Sequence, residues 1–365
     1  MLFPVSGAEV NPLLLIGIGL AVGVCSGFFG FGGGFMTTPA LNIFGFPMPY
    51  AIGTDMTQMA GSSFISTMKH MRFGHVDIRL AGCMVVGTMG GVELGKHLVL
   101  YLEGIGSADM VIRWIYIVVL GALGIYMLRE ALKAASRENA ILLDQKKASP
   151  EAKVSIIEKI RSFSLPPVIA FPVSGIPRMS IWVPIGIGFV TGLMAGVLGV
   201  GGGFIRMPTL VYLLGVPTVV AVGTDLFEVI ISGAYGAFTY ALADRVELLA
   251  AGIVLVGASV GVQFGARATR YVRGEKIRFF FALTILMAGV SVLLKQVSSI
   301  YNIGFLDISS SYLLLTVAGG MSVFIIVMFL INRRAAIKAE KAEALYGQPV
   351  VERRPRLESV ERAGR

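Results

Sequence analysis

Long apolar runs alternate with short polar breaks along the chain. The runs cover residues 12–29, 53–71, 78–102, 110–132, 181–199, 223–243, 247–266, 277–297 and 311–332. Most approach or exceed the roughly 20 residues that a helix needs to cross a hydrocarbon core of about 30 Å. Two further apolar pieces, 35–46 and 204–216, are too short. At 1.5 Å per residue each reaches about 18 Å, a little over half of that core. Each contains a proline, Pro39 or Pro208, and follows a cluster of glycines, so each reads as a broken or re-entrant helix. The pattern predicts an all-α polytopic membrane protein with about nine long helices and two short ones. The one long polar stretch, 134–180, holds AASRENAILLDQKKASPEAK and then SLPPVIAFP. It reads as a short helical or flexible connector, with Pro166, Pro167 and Pro172 marking the return to the membrane. The charged tail from Arg333 reads as disordered.

Composition narrows the class further. Of 365 residues, 55% are hydrophobic and only 15% charged. A soluble fold has too few interior positions to hide that much apolar surface, which excludes a typical cytoplasmic enzyme and a disordered chain. The net charge of +9 suggests a nucleic-acid partner until the positions are read. Lys and Arg concentrate in 69–79, 129–178, 267–278 and 333–365, which hold 26 of the 31. That is the distribution of a membrane protein oriented by its basic loops, not of a nucleic-acid binder. Residues 1–11 contain Glu9 and no Lys or Arg, so no signal peptide is expected. Cys25 and Cys83 both lie in apolar runs and offer neither a disulfide framework nor a metal spacing. No catalytic group, metal site or cofactor is expected.

The four basic clusters fall on one side if 35–71 and 204–243 are hairpins that leave on the side they entered. That arrangement puts the N-terminus outside and the C-terminus in the cytoplasm of a multi-pass inner-membrane protein.

The chain is also duplicated. Gly27–Phe35 (GFFGFGGGF) matches Gly196–Phe204 (GVLGVGGGF) at an offset of 169, and Pro39 matches Pro208. After one inserted residue, Gly45-Phe-Pro47 matches Gly215-Val-Pro217, and Ala51-Ile-Gly-Thr-Asp55 matches Ala221-Val-Gly-Thr-Asp225. Further on, Gly82, Gly87, Gly91 and Gly95 match Gly252, Gly257, Gly261 and Gly265. Each repeat makes three net crossings, and an odd number turns the second copy upside down. Two inverted repeats with broken helices, and a substrate at the midplane between them, are a recurring transporter design. The expected organisation is a first transmembrane repeat over 1–134, a cytoplasmic linker over 135–180 and a second repeat over 181–300. An extra transmembrane helix over 301–332 and a cytoplasmic tail over 333–365 follow.

The doubled pattern GxxGxGGGFxxxPxL followed by GxPxxxAxGTD resembles the sulfite exporter TauE/SafE family of membrane permeases, over nearly all of residues 12–300. The resemblance implies a substrate among sulfite, sulfonates and related sulfur-containing anions, often moved outward.

The repeated residues suggest where an anion would sit. Gly32, Gly33 and Gly34, with Gly201, Gly202 and Gly203, can turn sharply and present backbone N–H groups beside a helix N-terminus. Close packing of a hairpin turn explains them equally, and no strand–helix context supports a dinucleotide fingerprint. Thr54-Asp55 and Thr224-Asp225 read as helix openings, because Asp55-x-x-Gln58 and Asp225-x-x-Glu228 resemble capping boxes. At hairpin tips their hydroxyls could also donate to an oxyanion. Arg206 stands in a short apolar helix where the first copy has Thr37. An embedded Arg costs at least about 2.5–3.5 kcal/mol on insertion scales, so it should face a cavity or a partner. Its several donors suit an oxyanion, although a snorkelling Arg near the interface is the alternative. Glu228 and Glu93 are the acids placed to carry a proton. Lys69, His70 and His75, near one end of their helix, would draw anions in or simply set orientation. The spacing Gly87-x3-Gly91-x3-Gly95, with its copy at Gly257, Gly261 and Gly265, is small-residue helix packing.

The sequence therefore points to a secondary transporter for a small anionic substrate, working in the lipid bilayer by alternating access. A homo-oligomer is compatible with it. An anion channel of the same fold and a membrane subunit of a sulfur-metabolism complex are the alternatives. A membrane-embedded enzyme is weakened by the absence of a nucleophile–base pair.

Overall fold

The computed structural model describes residues 1–30, 32–72, 74–143, 165–268 and 274–346. Among these there are eleven helices and one small hairpin of strands. The first copy contains α1 (Pro12–Phe29), α2 (Gly34–Ile43), α3 (Met48–Arg72), α4 (Ile78–Gly104) and α5 (Ala108–Leu143). The strands β1 (Val168–Phe171) and β2 (Ile176–Ser180) pair antiparallel. The second copy contains α6 (Trp182–Leu198), α7 (Gly203–Tyr212), α8 (Thr218–Ala241), α9 (Leu248–Ala268) and α10 (Gly274–Tyr301), and α11 (Gly304–Tyr346) follows. Seven of these, α1, α4, α5, α8, α9, α10 and α11, are long and apolar enough to cross a membrane. The molecule is an all-α polytopic membrane protein with nine long helices and two short ones among the described residues.

The bundle has two ends. At the first, Phe3 packs on Phe46 with ring centroids 5.4 Å apart, and the Val5 N–H donates to Glu247 Oε2 at 2.9 Å. The Met48 N–H donates to Asp109 Oδ1 there at 2.8 Å, and Arg245 grips Glu103 with 2.9 Å contacts. At the second end, Ser174 in the strand hairpin donates to Asp77 Oδ2 from both its N–H and its hydroxyl, at 3.0 and 2.8 Å. Leu80 and Met84 pack there with Phe171, Ile176, Val216 and Val220. This second end also receives Arg72, Arg79 and Arg178, and we call it the basic end.

These contacts correct the expected hairpin. The end of α2 returns to the N-terminal segment, through Phe46 on Phe3, while α3 runs on to the basic end. The re-entrant unit is therefore α1 with α2, and by symmetry α6 with α7, rather than α2 with α3 or α7 with α8. Hydropathy misleads here because α3 carries buried polar side chains that an apolar count penalises. The tail is also corrected, since α11 continues to Tyr346 and residues 333–346 are helical rather than disordered. Residues 144–164 of the connector and 347–365 of the tail lie outside the described residues. The Pro-rich end of the connector forms the strand hairpin that covers the basic end.

The two copies interlock by exchange. Helix α1 packs most extensively on α9, and α6 on α4. The glycine seams cause this: a Cβ at Gly87, Gly91 or Gly95 would overlap backbone atoms of Ile185, Phe189 or Leu193 on α6. A Cβ at Gly257, Gly261 or Gly265 would overlap Ile16, Leu20 or Val24 on α1. Backbones this close gain dispersion contacts that lipid cannot match. Gly82 and Gly252 lie outside the seams, with nothing near their missing Cβ. Equivalent helices also meet one another, α3 on α8 and α5 on α10. They run antiparallel there: Gly236 faces Met56 while Gly233 faces Ala60, and Gly124 faces Leu286 while Gly289 faces Leu120.

Candidate functional site

The two Gly-rich turns meet at the centre of the bundle. A Cβ at Gly34 would lie 2.7 Å from Val200 Cα, and Gly32 and Gly201 both face Met59 and Val229. Gly33 and Gly202 begin α2 and α7 with φ of 91° and 74°, a left-handed conformation that side-chain-bearing residues rarely adopt. Neither capping glycine has a side chain to bond the N–H groups of the first turn that follows it.

Arg206, one turn into α7, is fully buried. Its Nη1 contacts Asp225 Oδ1 at 2.9 Å and also Glu228 Oε2. Its Nε donates to Thr191 Oγ1 on α6 at 3.2 Å. Ser232, one turn beyond Glu228 on α8, donates to the same Glu228 oxygen at 3.1 Å. Three atoms of this cluster, Arg206 Nη2, Asp225 Oδ2 and Glu228 Oε1, are buried without a hydrogen-bond partner. Burial of one cation between two carboxylates leaves the cluster negative when all three groups are ionised. Fixed charges held this way demand compensation, by a proton or by a ligand.

The counterpart in the first copy pairs its aspartate with uncharged side chains. Asp55 Oδ2 accepts from Thr38 Oγ1 at 2.7 Å, and Asp55 Oδ1 from Gln58 Nε2 at 3.2 Å. Thr37, the equivalent of Arg206, turns its hydroxyl back to Gly33 O at 3.4 Å. Asp55 lies close to the meeting Gly turns, with its Oδ2 2.9 Å from where a Gly34 Cβ would stand.

The structure thus brings together Arg206, Asp225 and Glu228, with Gly202 beside the Arg206 guanidinium. It groups Asp55 with Gly34 and the central turns, where Gly32, Gly33 and Gly201 also stand, and Gly203 opens α7. Thr54 and Thr224 are engaged elsewhere: each hydroxyl oxygen accepts a backbone N–H from the other copy, that of Glu247 or of Asp77, at 3.0 Å. Two expectations are corrected. The Thr-Asp pairs neither open helices nor stand at hairpin tips, because α3 and α8 begin earlier, at Met48 and Thr218. Pro49 stands in the first turn of α3, which its fixed φ suits, and Pro47 and Pro217 immediately precede α3 and α8. The aspartates are therefore interior side chains rather than caps. Glu93 stands apart, bonded by the Tyr235 hydroxyl at 3.1 Å and by Lys96, with His97 at 3.1 Å.

The sequence reading did not single out Thr191, Ser232 or Thr38. A hydroxyl inside an otherwise apolar run, one turn from a named acid in the case of Ser232, is the signal that could have found them.

The family described as sulfite exporter TauE/SafE matches residues 15–292. The chain is 24% identical over 298 residues to the probable membrane transporter protein YunE of Bacillus subtilis, covering 79% of this chain and 99% of that one. It is 25% identical over 295 residues to a probable membrane transporter protein of Xylella fastidiosa, covering 79% and 97%. A shorter match, 25% over 206 residues, reaches the probable membrane transporter protein MJ0441 of Methanocaldococcus jannaschii, covering 54% and 61%. No solved structure matches.

Proposed function

The chain belongs to the sulfite exporter TauE/SafE family of membrane transporters, and from that premise we propose that it moves sulfite, an organosulfonate or a related small sulfur oxyanion across the inner membrane, outward. The observation that carries this reading is Arg206: fully buried, beside two meeting Gly turns, with one guanidinium nitrogen still lacking a partner. A planar cation with spare donors suits an oxyanion, and the uncapped starts of α2 and α7 add positive partial charge.

Glu228 competes for the same cation. An incoming anion would displace the Glu228 carboxylate from Arg206, and the freed carboxyl would take a proton in its dry surroundings. Anion and proton are then bound together and cross together, so the outward gradient of the substrate itself drives export against the inward proton gradient. The two copies would rock about the central site, related as inverted repeats. The antiparallel meeting of α3 with α8 and of α5 with α10 supports that relation. The basic loops at one end support an orientation with that end, and the C-terminus, in the cytoplasm. A fully occluded Arg206 favours a carrier over an open anion channel.

The test is thermal stabilisation of the detergent-purified protein by sulfite, thiosulfate, isethionate and taurine, with chloride, phosphate and acetate as controls. A ligand at 100 times its Kd stabilises the folded state by about 2.7 kcal/mol. A selective shift that disappears in Arg206→Gln is expected, and no shift with any sulfur oxyanion overturns the reading.

A further inference from the structure

Beyond Gln58, α3 carries a row of hydroxyls that the Arg206 site does not use. Ser63, Ser66 and Thr67 are each 1% exposed, and none of their side-chain oxygens has a hydrogen-bond partner. Their spacing of three and four residues puts them on one face of the helix. Gln58 Oε1, one turn nearer the centre, is also without a partner. The row starts at the central turn, where Ser63 Oγ stands 3.6 Å from the position of a Gly32 Cβ. It points along α3 toward the basic end, where His70 lies against Gly223 of α8 and near His75, with ring centroids 6.5 Å apart.

The equivalent positions in the second copy are Gly233, Gly236 and Ala237. There the α3–α8 seam is filled: Met56 packs onto Gly233 and Gly236, and the buried Tyr240 hydroxyl donates to Gly196 O at 2.6 Å. One half of the seam is therefore closed by apolar packing, and the other by hydroxyls that lack partners. A hydroxyl in a membrane helix ordinarily turns back to a carbonyl of the preceding turn, as Thr57 does to Gly53 and Thr209 to Ile205. Three adjacent unmet hydroxyls at membrane depth are a standing cost that water would remove.

We propose that the α3–α8 seam from Gly32 to His70 is the access route between the central site and the basic end, closed in this conformation and hydrated when it parts. Opening exchanges unmet hydroxyls for water, whereas parting the other half would expose Met56 and apolar surface. The route's purpose rests on the transport reading, but its test reads water access and not transport.

The experiment uses the full chain with Cys25 and Cys83 replaced by Ala, carrying single cysteines Ser63→Cys, Ser66→Cys or Thr67→Cys. A membrane-impermeant methanethiosulfonate is added to sealed vesicles of either orientation. The expected result is loss of the free thiol at all three positions when reagent meets the basic end, and none from the opposite side. Phe64→Cys and Met68→Cys, on the same turns but with 55% and 47% of the side chain facing outward, stay unmodified because no thiolate forms in hydrocarbon. Gel filtration and thiol titration after denaturation confirm folding and reactivity for each variant. Protection of all three positions, or modification only from the opposite side, overturns the proposal. Modification at the basic end, in a protein that no sulfur oxyanion stabilises, leaves the route standing and removes the substrate reading.

Discussion

The Thr54 hydroxyl oxygen accepts a hydrogen bond from the backbone N–H of Glu247 at 3.0 Å, although 193 residues separate them. Thr224 does the same for Asp77 at 3.0 Å. Each threonine lies in the third helix of its copy and ties down the residue preceding the fourth helix of the other, once at each end of the bundle. Thr54→Val keeps the shape and orphans a buried N–H, so a loss of about 1–3 kcal/mol is expected. Thr224→Val should cost a similar amount, and the double variant the sum, because the sites share no partners. Melting of the purified variants checks this; Thr54→Ser should recover most of the loss.

Arg206→Gln strands Asp225 and Glu228 without their cation. Breaking a buried ion pair from one side costs about 3–5 kcal/mol. Adding Glu228→Gln should return part of that stability, although it removes a second charged residue. Unfolding measurements on both single variants and the double one read the coupling directly. Additive losses would mean that the two side chains do not share an interaction.

The glycine seams make paired predictions. Gly87→Ala places a methyl group against the Ile185 carbonyl, and Gly261→Ala places one against that of Leu20. Each should destabilise by about 1–3 kcal/mol as the helices are pushed apart. Gly82→Ala and Gly252→Ala, two residues of the same sequence pattern with open space around them, should be neutral or stabilising by up to about 1 kcal/mol. Thermal scans of the four variants separate the packed positions from the open ones.

Proton coupling assigns different outcomes to the two embedded acids. In proteoliposomes with an imposed proton gradient, Glu228→Gln should lose the dependence of anion flux on that gradient. Glu93→Gln should keep it, because Glu93 pairs with Lys96 and Tyr235 and does not touch Arg206. The reverse result would move the coupling role to Glu93.

The helix inventory, the duplication and the membrane class were legible in the sequence, for physical reasons. A membrane span must be long and apolar wherever it packs, so Leu-, Val- and Gly-rich runs declare themselves without knowledge of their neighbours. The repeat was legible because GxGGGF and GTD recur in register at 27–35 and 196–204, and at 53–55 and 223–225. Arg206 stood out because a lone cation in an apolar helix needs a partner, yet its composition named none. Only the tertiary structure chose Asp225 and Glu228 over the other acids, and brought in Thr191 from another helix. It also decided that α1, the kind of helix hydropathy favours, turns back with α2, while the more polar α3 runs the length of the bundle. Apolar counts cannot distinguish a lipid-facing run from one buried among other helices, nor a polar side chain in water from one facing a protein seam. Those distinctions depend on which surfaces meet, and here most of the meeting helix surfaces come from opposite copies of the repeat, far apart in the chain.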